Sequence, residues 1–230
     1  MGFFDYLFKT DNRHQIEIHN HGHRCYTEGL NPHEKSLVNL LARDLDSKKY
    51  FIFNNLVLPS SHTISCQIDH VIVSEYGIFV IESKDYSGWI FASEHRKNWT
   101  VCYRGGKKFK FQNPILQNFA HVSALKEQLP FLRKSFFNIV VFSENCEFKT
   151  DRISKVIYDH ELISYICEKK RQWLKEDEVT MTVGKLLMLC QTHNVNTERH
   201  VKNLELVHGG KTQSSDSFTP KHTENMNFHT

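Results

Sequence analysis

The sequence predicts a mixed α/β domain, and three observations carry that prediction. Two segments, Asn31-Pro32 and Asn113-Pro114, open as helices with the same start, an N-cap side chain followed by proline at the first helical position. Between them lie short β-rich runs, of which Gln67–Val73 and Gly77–Lys84 form a hairpin around Ser74-Glu75-Tyr76-Gly77. After the second helix comes Phe136–Phe142, a continuous apolar run that suits a strand buried on both faces.

Met1–Phe8 is apolar but short and lacks a basic leader, so it reads as a segment packing on the domain rather than a signal peptide. His19, His21, His23 and Cys25 alternate, and on a strand they would share a face. They read either as a transition-metal site or as a solvated loop. Residues 1–30 are thus expected to form an N-terminal extension on the core.

The first helix begins at Asn31, with Glu34 where a capping box places its acid. Leu37, Val38, Leu41 and Leu45 supply its apolar stripe. Glu34 lies on that stripe, and two readings stay open: a capping glutamate, or a carboxylate aimed at a site over the sheet.

Tyr50–Leu58 reads as a strand before Pro59-Ser60-Ser61, and Gly88–Ala92 and Trp99–Tyr103 as short strands after the hairpin. Arg104-Gly105-Gly106 is a turn, followed by a strand in which Lys107, Lys108 and Lys110 mingle with Phe109 and Phe111. Such a strand can line a phosphate backbone and stack a base. It can equally be an edge strand whose lysines block aggregation.

The second helix runs to about Leu129, ahead of Pro130, and buries Val122, Leu125 and Leu129. Gln117 and His121 stand one above the other beside that stripe. Lys155–Tyr158 is a further strand, His160–Lys170 a helix and Val179–Cys190 a last helix. Gly209–Thr230 is polar with few large aliphatics and reads as a disordered tail. The expected division is a core over 31–143, an α/β extension of the same domain over 144–208, and the tail.

The hairpin carries the chemistry. With a two-residue turn at Glu75 and Tyr76, Ser74 pairs with Gly77, Ile72 with Phe79, and Asp69 falls opposite Glu82. Glu82 and Lys84 share a face, and Ser83 takes the other. Two facing carboxylates destabilise a sheet unless something offsets the repulsion, and a divalent cation does so. A surface salt-bridge cluster is the competing reading.

A net charge of +3 permits a nucleic-acid partner without demanding one. The six cysteines form no CxxC pair, which suits buried thiols in a reducing, cytoplasmic setting. No apolar run approaches a membrane span.

Taken together, Gln67–Val73, Gly77–Lys84, Tyr86-Ser87-Gly88-Trp89-Ile90, Trp99 and Asn113-Pro114-Ile115-Leu116-Gln117-Asn118-Phe119-Ala120-His121 resemble the nuclease-related domain, a branch of the PD-(D/E)xK nuclease superfamily. The resemblance covers about Asn31 to Phe142. It implies a restriction-endonuclease-like core, a mixed central β-sheet flanked by helices. It also implies metal-dependent phosphodiester hydrolysis with Mg²⁺ or Mn²⁺.

Position by position, Asp69 and Glu82 match the metal ligands, and Lys84 the residue that orients or deprotonates water. Glu34 matches the helix carboxylate and Gln117 the polar residue of the second helix. His121 matches the same motif and, with Lys107, Lys108 and Lys110, is expected on the nucleic-acid side. The implied substrate is DNA rather than RNA, and a homodimer is a natural arrangement for cutting two strands. The alternative is a non-catalytic nucleic-acid-binding or scaffold module that keeps the fold.

Overall fold

The computed structural model describes residues 30–58, 65–132 and 134–191. The histidine-rich stretch with Cys25, the packing of Met1–Phe8 and the tail from Gly209 lie outside the described residues.

Asn31 caps helix α1 (Pro32–Asp44) as its sequence requires. The strands β1 (Phe51–Leu58), β2 (Cys66–Ser74) and β3 (Gly77–Lys84) follow as an antiparallel meander. Next come β4 (Gly88–Phe91), β5 (Asn98–Cys102) and β6 (Lys108–Gln112), then helix α2 (Pro114–Gln128). Strands β7 (Phe136–Phe142), β8 (Cys146–Phe148) and β9 (Val156–Tyr158) lead to a 3₁₀ turn at Asp159–Glu161, then α3 (Leu162–Cys167) and α4 (Glu176–Gln191).

The strands form two sheets. A mixed five-stranded sheet has the order β1-β2-β3-β7-β9, with β3, β7 and β9 parallel. A four-stranded sheet has the order β6-β5-β4-β8. The fold is therefore mixed α/β with a central sheet flanked by helices, as the sequence predicts.

Three details differ from the sequence expectations. The short strands after the hairpin form a second sheet, because β4 gains a parallel partner in β8, a strand that sequence patterning did not mark. The helix expected over His160–Lys170 is a 3₁₀ turn followed by Leu162–Cys167. The last helix begins three residues earlier than expected, at Glu176, where three acidic residues favour a helix start.

Each face of the central sheet has its own core. Leu37 and Leu41 of α1 and its C-cap Leu45, with Leu162 and Ile166 of α3, cover Ile72, Phe79, Ile81, Ile139 and Val141. On the other face Val122, Leu125, Val179, Val183 and Leu186 cover Phe53, Val71, Val73, Ile78 and Val80. A third cluster joins the two sheets: Trp99 lies almost parallel to Phe142, centroids 6.1 Å apart, among Ile90, Val101, Ile115, Val140 and Val156.

Phe136–Phe142 pairs on both sides and buries both faces, which accounts for its continuous apolarity. Within the described residues no helix is long and apolar enough to cross a membrane. Cys102 and Cys146 are buried thiols without a disulfide, and burial pushes the Cys146 thiol up to about 11.

One irregularity in the meander positions the site. The β1–β2 register keeps the same offset throughout, and it steps from Asn54 with His70 directly to Leu56 with Ile68. Asn55 has φ 54°, a left-handed conformation that asparagine tolerates better than most residues. Phe53 and Leu56 nonetheless lie in one core cluster, as do Val71 and Ile68, so side-chain alternation inverts in both strands at this point. Asp69 thereby leaves the regular ladder.

Candidate active site

The hairpin register is the one that the sequence predicts, down to Ser74↔Gly77, Ile72↔Phe79 and His70↔Ile81, where regular pairing ends. Gly77 makes no bulge, and its hydrogen-only side is needed: a Cβ there would lie 2.5 Å from the Phe137 ring and 2.9 Å from Ser135 O. Asp69 and Glu82 are thus not a ladder pair. The Asp69 carboxylate instead reaches the β3 backbone, where Oδ2 accepts hydrogen bonds from Ser83 N–H at 2.8 Å and Ser83 Oγ at 3.2 Å. Ser83 thus holds the aspartate against β3, near enough to Glu82 and Lys84 to feel their charges.

Glu82 is 2% exposed. Lys84 Nζ forms a close ion pair with its Oε1. On the other side His121 Nδ1 of α2 stands 3.3 Å from Oε2, outside hydrogen-bond geometry, so both atoms are buried without a hydrogen-bond partner. Burial alone would raise the Glu82 carboxyl, but His121 and the Lys84 ammonium outweigh it and hold the group below the ordinary carboxylate value.

Asp69 goes the other way. Burial first, and then the charge of Glu82, push it up to about 7, with a smaller contribution from Glu34 and only partial relief from Ser83 N–H and Lys84. One buried acid is therefore held ionised beside another that resists ionisation.

Glu34 sits at the edge of this field. Its carboxylate accepts from Asn31 N–H at 3.0 Å and from Asn31 Nδ2 at 2.6 Å, and its own N–H donates to Asn31 Oδ1 at 2.9 Å. The capping box is complete, and the group is near enough for Asp69 to feel its charge. Gln117 is half-buried on α2, one turn before His121, and its side chain makes no hydrogen bond among the described residues.

His121, expected on the nucleic-acid side, is 6% exposed and turned toward Glu82 instead. Lys107, Lys108 and Lys110 are exposed at the turn and on β6, an edge strand of the second sheet. They do not converge with the carboxylates.

Sequence reasoning read Asn113 as a helix cap but missed its further bonds, and it missed Asn118. Asn113 is fully buried; its Oδ1 caps α2 through Ile115 N–H, and its Nδ2 donates to the Ser93, Glu94 and Arg96 carbonyls. Asn118 is also fully buried, and its Nδ2 lies within hydrogen-bond distance of Val80 O, Ile139 O and Asn138 Oδ1. It binds α2 to β3 and β7 at once. The available signal was a polar residue in the apolar stripe of α2, between Pro114 and Val122.

Two carboxylates, one with a buried oxygen lacking a partner and one reluctant to ionise, fit a divalent cation. Asp69 Oδ1 and Glu82 Oε2, the latter 3.3 Å from His121 Nδ1, are the oxygens that Ser83 and Lys84 leave without a hydrogen bond.

A sequence model of the nuclease-related domain matches residues 30–143. An uncharacterized protein of Bacillus anthracis is 31% identical over 179 residues, which is 74% of this chain and 81% of that relative. No solved structure matches.

Proposed function

From the premise that this chain belongs to the nuclease-related domain family, we propose that it is a Mg²⁺- or Mn²⁺-dependent nuclease acting on DNA. The observation that carries this reading is the pairing of Glu82, buried with one oxygen unpartnered, with the raised carboxyl of Asp69 beside the ammonium of Lys84. A bare sheet gains nothing from two buried acids.

When bound, a divalent cation neutralises phosphate charge and lowers the pKa of its water. The protein does the rest. Asp69 and Glu82 would hold the cation, with Ser83 N–H fixing the orientation of Asp69 and the His121 ring standing beside Glu82. Lys84, 19% exposed, directs its ammonium at the attacking water or the developing oxyanion. Gln117 offers a hydrogen bond to the phosphate, and Glu34 contributes negative charge from the start of α1.

The outer face of the second sheet supports a polyanion as substrate. The pairs Trp89↔Cys102, Phe91↔Thr100, Thr100↔Lys110 and Cys102↔Lys108 put Trp89, Phe91, Lys108 and Lys110 on one side. Trp89 is 50% and Phe91 41% exposed, and Lys149 Nζ sits 4.9 Å from the Trp89 ring centre. Exposed aromatics among lysines suit stacked bases and a phosphate backbone. Tyr86 connects this sheet to the site: it follows Lys84 by two residues and its ring lies 4.5 Å from Phe111 of β6.

The test is cleavage of circular and linear DNA and RNA with Mg²⁺, Mn²⁺ or EDTA, wild type beside Lys84→Ala. Metal-dependent cleavage lost in the variant is expected; intact substrate under every condition refutes the reading. In EDTA, Lys108→Glu with Lys110→Glu is expected to weaken DNA binding and flatten its salt dependence. Hydrolysis of a small phosphodiester such as bis(p-nitrophenyl) phosphate should be unchanged.

A further inference from the structure

A second group of metal-ligating side chains stands away from Asp69 and Glu82. Strands β3, β7 and β9 run parallel, so their carboxyl ends share one edge of the sheet. Glu144 follows β7 by two residues, and Asp159 and His160 follow β9 directly. One ligand atom from each of these three lies within 4.8 Å of the others, the one such group among the described residues. His160 Nδ1 is in close contact with Glu144 Oε1 and 4.0 Å from Asp159 Oδ1.

Exposed acids often cluster without an ion, and the decisive residue is a fourth one. His33, in the first turn of α1, is 7% exposed, and neither ring nitrogen has a hydrogen-bond partner. Leaving such a group buried and unpaired is unfavourable. Its Nε2 points at the cluster, 3.7 Å from Asp159 Oδ2. That is too long for a hydrogen bond, and close to the spacing of neighbouring ligands that each stand about 2.0–2.2 Å from a shared Zn²⁺.

We propose that Glu144, Asp159 and His160 form a second metal site, bordered by the buried ring of His33 and selective for Zn²⁺ over Mg²⁺. One imidazole and two carboxylates, with a second imidazole 3.7 Å from Asp159 Oδ2, match a borderline cation; Mg²⁺ favours oxygen ligands alone. An ion there ties the start of α1 to the ends of β7 and β9. It uses no residue of the nuclease site, so it does not depend on that reading. Its role is structural: it fixes the end of the helix that carries Glu34.

The test is titration of the full-length, metal-stripped protein with Zn²⁺ by calorimetry. Wild type, Asp159→Asn with His160→Ala, and Asp69→Asn with Glu82→Gln are compared. The first variant changes only residues outside the core, so the fold is retained. It is expected to bind one equivalent of Zn²⁺ fewer than wild type, whereas the second keeps that equivalent. His33→Gln should weaken it, and Co²⁺ should give a visible d–d band in wild type that Asp159→Asn with His160→Ala abolishes. Equal Zn²⁺ stoichiometry and affinity in wild type and the Asp159/His160 variant overturns the proposal, because any zinc then sits elsewhere, as on His19, His21 and His23. Loss of Mg²⁺-dependent cleavage in the Asp69/Glu82 variant reports on the nuclease reading alone.

Discussion

Replacing Asp69 by asparagine should make the metal-free protein more stable while abolishing its activity. Burial and the Glu82 charge move the Asp69 carboxyl from 3.8 to about 7. The folded protein therefore holds a proton that the unfolded chain releases, and stability falls as pH rises from about 4 to about 7. Above pH 7 the whole penalty applies, on the order of 4 kcal/mol for a displacement of that size.

Asparagine removes the charge and keeps an oxygen for Ser83 N–H, but it forfeits the attraction of Lys84. About 2 kcal/mol of net stabilisation at pH 8 in EDTA is a fair expectation. Urea denaturation followed by tryptophan fluorescence at pH 4 and pH 8 measures it. Between those two values the wild type should lose stability relative to the variant, since the opposite trend from His70, held down to about 4 by burial, is common to both. Adding Mn²⁺ should stabilise the wild type and leave the variant unchanged. A variant less stable than wild type at pH 8 in EDTA, or one equally stabilised by Mn²⁺, refutes the account of two acids in want of a cation.

Lys84→Met should abolish cleavage and cost about 2 kcal/mol, because it leaves Glu82 charged and buried without its ion pair; thermal unfolding and a cleavage assay separate the two effects. Glu34→Gln can still close the capping box, so its melting temperature should match wild type while cleavage falls about tenfold or more if its charge serves the site. Gly88→Ala should cost at least 2 kcal/mol in denaturant titrations, since φ is 115° and the added Cβ would lie 2.6 Å from Cys102 O.

The parts of the fold written in local chemistry were legible. Asn31 and Asn113 cap their helices as read, because a cap is decided within four residues. The hairpin turn fixed its own register, and Phe136–Phe142 declared its double burial. What stayed hidden depends on meetings between distant segments. The second sheet is completed by Cys146–Phe148, three residues too few to show a period, pairing in parallel with β4 far upstream. The approach of His121 to Glu82 is a side-chain contact between a helix and a strand, which no spacing rule encodes. The displacement of Asp69 comes from a backbone inversion shared with Asn55, which leaves no mark in hydrophobic patterning.

The buried amide of Asn118 has a consequence for motion. It fastens α2 to two adjacent strands at the level of the carboxylates, so the helix bearing Gln117 and His121 cannot rock away from the strand bearing Glu82 and Lys84 without breaking several bonds in a dry interior. The jaws of such a site are welded. Under the proposed nuclease function, accommodation must then come from the nucleic acid, and a flexible or frayed strand should seat more readily than a stiff, fully stacked duplex.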